Sequence, residues 1–206
     1  MLVIKLGGCN GSGKTSVARA LLEKYKMRPV EYKKDRPYVY EGEAFGHQLI
    51  VLGSYASVCG GMDTISDKEE RLGLVAGFAQ RDTKRIVFYE GLITGKTYGA
   101  MGALSDTPGQ KGHWLYAFMD TPFEVCVERV VKRRQDRALA KGLGAQDAVA
   151  FAVEIDAERT MRPTFKSIIS TEQRAREAGH QTIWLKHDKS PAQIVAQLMK
   201  QAEKML

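Results

Sequence analysis

Val3-Ile4-Lys5-Leu6-Gly7-Gly8-Cys9-Asn10-Gly11-Ser12-Gly13-Lys14-Thr15 stands near the start of the chain, and its reading decides the fold. A short apolar run, the signature of a buried strand, leads straight into G-x-x-x-x-G-K-[ST], matched at every fixed position from Gly8 to Thr15. An amphipathic stretch follows, with Val17, Leu21 and Leu22 on one face. Strand, glycine-rich loop and helix in that order define a phosphate-binding loop. The glycines let backbone N–H groups turn inward onto a polyphosphate, and the helix N-terminus adds partial positive charge. Gly8, Asn10, Gly11, Ser12, Gly13 and Ser16 line this cradle in the expected geometry. Lys14 is expected to reach the transferring phosphate, and the Thr15 hydroxyl to sit on Mg²⁺.

The 206 residues suit a single α/β domain, large enough to bury about 70% of its unfolded surface. No apolar run approaches the roughly 20 residues of a membrane span, so no membrane partner is expected. The apolar strand at the N-terminus argues against a signal peptide. Cys9, Cys59 and Cys126 are widely spaced and form no C-x-x-C pair, which argues for a reduced cytoplasm rather than a disulfide or zinc framework. The net charge of +7 suits nucleic acid or phosphorylated ligands without choosing between them. Its distribution says more. Lys24, Lys26, Arg28, Lys33, Lys34 and Arg36 crowd one segment, and Arg129, Lys132, Arg133, Arg134, Arg137 and Lys141 another. A solvated helix face is the other reading of either cluster.

Strand and helix signals alternate, which predicts a mostly parallel sheet flanked by helices. Strands are expected over 2–6, 29–32, 38–40, 48–52, 85–89, 114–119 and 182–185. Helices are expected over 14–25, 67–81, 122–135, 145–177 and 190–204, the last opened by Ser190-Pro191. The stretch 38–52 reads as a hairpin broken at 42–46, and 53–62 and 91–112 read as loops.

Three constellations carry chemistry. The apolar run 85–89 ends in Glu90-Gly91, where an acid can hold Mg²⁺ or act as a base. Gly60-Gly61-Met62-Asp63 follows another strand, and Asp63 is a candidate to orient or deprotonate an acceptor hydroxyl. A plain turn capping the next helix is its alternative. Arg129, Arg133 and Arg137 repeat at i, i+4, i+8, one stripe of a helix suited to neutralising phosphoryl charge from a lid near 129–145. Asp106-Thr107-Pro108-Gly109 imitates a GTPase switch, but no apolar strand precedes it. Lys186-His187-Asp188 lacks the asparagine of the partner motif, and His187 instead suits the neighbourhood of a donor adenine. Arg159 and Arg162 could pair with a nucleotide or with core acids.

With these residues in place the chain resembles the thymidylate-kinase-like group of P-loop nucleotide kinases, through the loop at 8–15, Tyr89-Glu90-Gly91 and the helix from Asp120. It departs in the middle, where the stretch 53–65 is similar to bacteriophage 5-hydroxymethyluracil DNA kinases. That resemblance implies ATP and Mg²⁺ as cofactors, and 5-hydroxymethyluracil in DNA as the acceptor. The product is then 5-phosphomethyl-deoxyuridine, a step in thymidine hypermodification and restriction evasion in the cytoplasm of an infected host. Lys33, Lys34 and Arg36 would meet DNA phosphates, while Gly60, Gly61 and Tyr55 would meet the base, with Tyr38 and Tyr40 as further stacking candidates. A kinase of free deoxynucleoside monophosphates is the nearest alternative. A nucleotide-gated DNA-binding module without transfer chemistry is an alternative of another class.

Overall fold

The structure, a computed structural model, describes residues 1–33, 36–57, 60–80, 84–91, 98–144, 146–149 and 156–206. Seven strands form one sheet: β1 (Leu2–Gly7), β2 (Arg28–Lys33), β3 (Arg36–Ala44), β4 (His47–Leu52), β5 (Arg85–Glu90), β6 (Trp114–Asp120) and β7 (Gln181–Lys186). Their order is β2-β3-β4-β5-β1-β6-β7. The five strands from β4 to β7 pair in parallel, and β2 and β3 extend the sheet antiparallel. All six residues of β1 are buried, because a central parallel strand is covered on both faces. Leu2, Ile4 and Leu6 point into one core with Val17, Leu21 and Ile194. Val3 points into the other, with Trp114, Phe118, Phe123 and Met161.

The helices are α1 (Lys14–Lys24), α2 (Lys68–Phe78), α3 (Gly99–Ser105), α4 (Phe123–Ala140), α5 (Ala157–Glu177) and α6 (Pro191–Glu203). Four local expectations change. Gly42 lies inside β3, where a Cβ would stand 3.2 Å from the Tyr25 carbonyl oxygen. The hairpin turns instead at Phe45-Gly46, with φ of 54° and 69°, a pair of left-handed residues that matches the strand twist. The 91–112 stretch contains α3, whose Met101 packs into the second core. Its glycines hide the helix from a propensity reading. The helix expected over 145–177 starts only at Ala157, where Asp156 accepts the Arg159 N–H as an N-cap, and 146–149 form a separate helical turn. α4 continues to Ala140, beyond the expected 135. α6 begins with the Ser190 and Gln193 capping box.

The parallel strands all point their C-terminal ends to one edge, where ligands of such sheets bind. β3 runs against β4 and β2 against β3, so the end of β2 and the start of β3 lie at that same edge. Arg36 therefore stands on the edge of the phosphate loop, whereas Lys24 and Arg28 lie at the opposite end. β2 separates Arg28 from Lys33 by roughly 17 Å, so the first basic cluster is two patches rather than one.

Lys5 sits in the second face between Tyr89 and Tyr116 on the neighbouring strands. Its ammonium lies 4.9 Å from the centre of the Tyr116 ring and makes no hydrogen bond. Burial pulls its pKa down to about 7. Above that pH the folded chain carries Lys5 neutral while the unfolded chain keeps its proton, so stability should rise with pH from about 7 toward 10. The slope should be at most on the order of 1 kcal/mol per pH unit. Lys5→Met should be more stable than the parent at pH 6.5 and lose that advantage by pH 9.5. Urea midpoints at the two pH values check this, and parallel profiles would show that Lys5 keeps its charge.

Candidate active site

The phosphate loop is held by its own polar groups and by the start of α4. Lys14 Nζ donates to the carbonyls of Gly8 and Cys9 at 2.8 and 2.9 Å, bonds it can exchange for phosphate oxygens. The Thr121 hydroxyl donates to Ser12 O at 3.0 Å, and Arg129 Nη1 to Gly11 O at 3.2 Å. Gly11 has φ of 79°, and a Cβ there would stand 2.4 Å from the Cys126 carbonyl oxygen. Only glycine lets the loop lie this close to α4. The Cys9 and Cys126 thiols are both free and buried. The neighbouring Cys9 thiol and burial push the Cys126 thiol well above its ordinary range.

Glu90 ends β5 beneath the cleft and is 1% exposed. The Thr15 hydroxyl donates to its Oε1 at 3.0 Å. Gly61, with φ of 85°, presses on it from the other side: a Cβ there would fall 2.6 Å from Glu90 Oε1. Burial pushes the Glu90 carboxyl up to about 7, with Lys14 and the Thr15 bond opposing and Asp63 adding to the rise. Asp63 is less buried, in a 3-10 turn over Met62–Thr64. The cap of α2 is Asp67, which accepts from Glu69 and Glu70 N–H. Asp63 thus does not serve as that cap.

These groups share one cleft of about 530 Å³. Asn10, Gly11, Ser12, Gly13, Lys14, Thr15 and Ser16 line it, with Gly60, Asp63 and Glu90 across from them. Arg129, Arg133 and His187 line it as well, and His187 is fixed by Nδ1 at 2.9 Å from the Asp120 carbonyl oxygen. Arg137, one turn beyond Arg133, is exposed and not among the lining groups. Tyr55 cannot stack on a base: its ring is 6% exposed in the first core, and its hydroxyl donates to Leu52 O at 3.1 Å. Tyr40 is buried against it, and Tyr38 donates to Glu31. The core claims the Tyr40 and Tyr55 rings, and the Tyr55 hydroxyl finds a local acceptor there. Arg36 is exposed at the same edge. Lys33 is the last residue of β2, and Lys34 lies outside the described residues. Arg159 and Arg162 pair with Asp156 and Glu158 on the outer surface of α5. Arg19, Thr64 and Met119 also line the cleft. Of these, Arg19 had a sequence signal, because it follows Thr15 by one helical turn.

The 5-hmdU DNA kinase of Pseudomonas phage PaMx11 is 35% identical over 136 residues, 64% of this chain and 69% of that protein. The chain belongs to the 5-hmdU DNA kinase family. The protein of that name from Pseudomonas phage M6 is 29% identical over 142 residues, 65% of this chain and 72% of its own. A third, from Bacillus phage SP10, is 26% identical over 146 residues, 66% of this chain and 22% of that protein. No family model matches the sequence. Among solved structures, a deoxyadenosine kinase from M. mycoides aligns over 100% of both chains at 8% identity, with a TM-score of 0.46. A gluconokinase from Sinorhizobium meliloti aligns over 99% of this chain and 95% of its own at 15% identity, with the same score. No helix among the described residues is long and apolar enough to cross a membrane.

The buried acid gives this kinase a testable pH signature. Between its ordinary value near 4.5 and about 7, folded Glu90 keeps a proton that the unfolded chain has released. Stability should therefore fall as pH rises through that window, by at most on the order of 1 kcal/mol per unit. Glu90→Gln should flatten the fall, which urea midpoints of parent and variant at pH 5 and 7 measure. A variant with an unchanged profile would place the titration elsewhere.

Proposed function

We propose that this kinase transfers the γ-phosphoryl group of ATP to the hydroxymethyl oxygen of 5-hydroxymethyluracil held in DNA. The observation that carries the reading is one cleft in which a phosphate loop faces two carboxylates of unlike burial, Glu90 and Asp63, in a chain of this family. The acceptor oxygen attacks the γ-phosphorus, its new bond to phosphorus forms, and the bond to the bridging oxygen breaks. ADP leaves, and the hydroxyl proton passes to Asp63, the acid with more access to the cleft. Lys14, Arg129 and Arg133 neutralise the charge that develops on the phosphoryl oxygens. The described part of the lid expected over 129–145 includes the end of α4, which already carries Arg129 and Arg133 into the cleft.

Thr15 and Glu90 offer hard oxygen donors 3.0 Å apart, the donor type that Mg²⁺ takes. They would hold the ion, whose chemistry is to neutralise charge shared by the β- and γ-phosphates. His187 and Lys189 border the part of the cleft next to α6, where the donor base would rest. The base must leave the DNA stack to reach the phosphorus. Arg36, with Lys33 and Lys34, supplies phosphate contacts on the acceptor side. The product, 5-phosphomethyl-deoxyuridine, is made in the cytoplasm of an infected bacterium as a step toward hypermodified thymidines that resist host restriction.

Labelled ATP offered with hydroxymethyluracil DNA, unmodified DNA and free deoxynucleotides tests the acceptor. Label should enter only the modified DNA, and Lys14→Ala should lower the rate by a factor on the order of 10². Label in free monophosphates instead would return the reading to a nucleotide kinase. DNA binding without any transfer would return it to a nucleotide-gated module.

A polymer acceptor also carries a salt signature. Binding that displaces counterions from several phosphates should weaken about tenfold or more between roughly 50 and 200 mM salt. Neutralising Lys33, Lys34 and Arg36 together should flatten that dependence while ATP affinity holds. Filter binding across the salt range measures it, and affinity indifferent to salt would count against DNA.

A further inference from the structure

Arg19 joins the two halves of the cleft. It stands on α1 one turn after Thr15, on the same helix face. Its Nη2 donates to the carbonyl of Tyr55 at 3.2 Å and to that of Ser57. The loop that bears these carbonyls also bears Gly60, Gly61 and Asp63. Its neck is closed by its own bonds: Gly61 N–H donates to Ser54 O at 2.8 Å, and the Thr64 hydroxyl donates to Gly61 O at 2.7 Å. The described part of the loop is seated from below by Tyr55 and Met62, buried in the two cores, and by Gly61 against Glu90. From α1, one helix face adds polar ties on the cleft side. Thr15 reaches Glu90, and one turn later Arg19 reaches Tyr55 and Ser57.

We propose that Arg19 is a positioning residue for the acceptor. It holds the Ser54–Thr64 loop in register with α1, so that Asp63 faces the phosphoryl group that Lys14 and Thr15 present. This inference rests on the reading of Asp63 as the acceptor-side acid. An arginine suits the task because its flat fork of N–H groups can serve two carbonyls while staying charged beside the cleft. A lysine ammonium is a single point on a shorter reach. Misplacing an acceptor by about 1 Å is enough to cost on the order of 10²-fold in rate, so an anchor of the loop at the cleft wall can matter.

The test uses the full chain and whichever acceptor the parent enzyme phosphorylates in the panel above. Arg19→Met should lower kcat/KM for the acceptor about tenfold or more, with ATP Kd changed by less than about twofold. Arg19→Lys should behave like the Met variant. Arg19→Ala should regain acceptor kcat/KM when millimolar methylguanidinium is added, which a merely structural surface residue would not do. The proposal is overturned if Arg19→Met keeps parental acceptor kinetics, if its ATP affinity falls in step, if Arg19→Lys is fully active, or if added methylguanidinium restores nothing to a folded Ala variant. If the parent phosphorylates a free nucleotide rather than DNA, the proposed acceptor fails, while the same variants still decide the role of Arg19 with that nucleotide.

Discussion

The active-site edge is organised around a carboxylate withdrawn from water. Glu90 is 1% exposed, and burying such a group costs free energy unless partners compensate. The partners come from different parts of the chain. Thr15 donates from the first turn of α1, Lys14 places a positive charge nearby, and the backbone of Gly61 closes over the oxygen. Each must be in position for the carboxylate to be tolerated. The buried acid thus fixes the relative places of the phosphate loop, β5 and the segment that bears Gly61. A side chain at Gly61 would collide with the Glu90 carboxylate and with its carbonyl, so the loop could not reach this position at all.

A second close approach fixes the other wall. α4 begins against the phosphate loop, with the Cys126 carbonyl where a Gly11 side chain would be. The same helix carries Arg129 and Arg133 into the cleft. Arg129 already donates to the loop carbonyl of Gly11. The glycine pattern of the loop therefore does two jobs. It opens backbone N–H groups to phosphates, and it admits a helix whose arginines approach from the side. The length of α4 follows from this seat: its buried face, Phe123, Cys126, Val130 and Ala138, runs well past the point where its sequence turns polar.

Much of this was legible in the sequence because the signals were local. The phosphate loop is a contiguous pattern, the strands are contiguous apolar runs, and Ser190-Pro191 marks a helix start through groups four residues apart at most. What escaped depends on contacts between distant segments. α3 is a helix because Met101 has a core to enter, whatever its glycines prefer. Tyr55 looked like a stacking platform because its type is common in that role. It is core because Tyr40 and the Leu52 carbonyl lie where its ring and hydroxyl end up. The i, i+4, i+8 arginines share a helix face, but only the sheet edge beneath decides that Arg133 lines the cleft and Arg137 does not. The basic cluster at 24–36 was contiguous in sequence and is split in space, because a strand runs through it.

That split bears on how a large acceptor could approach. The antiparallel pair β2–β3 adds to the sheet in its own plane, beside β4, and reverses direction twice. Two reversals bring the start of β3 to the same edge as the phosphate loop, and no described strand crosses the cleft. Arg36 is then carried at the side of the acceptor loop, while His187 and Lys189 border the cleft at the opposite end near α6. A pocket for a small monophosphate gains from closure over its substrate, since excluded water strengthens every charge interaction inside. A base flipped from a polymer arrives with its flanking phosphates, which must stay outside that closure and need cations at the rim rather than in the floor. Among the described residues, Glu90 and the phosphate loop line the cleft, and Arg36 stands exposed on the same edge of the sheet at the start of β3.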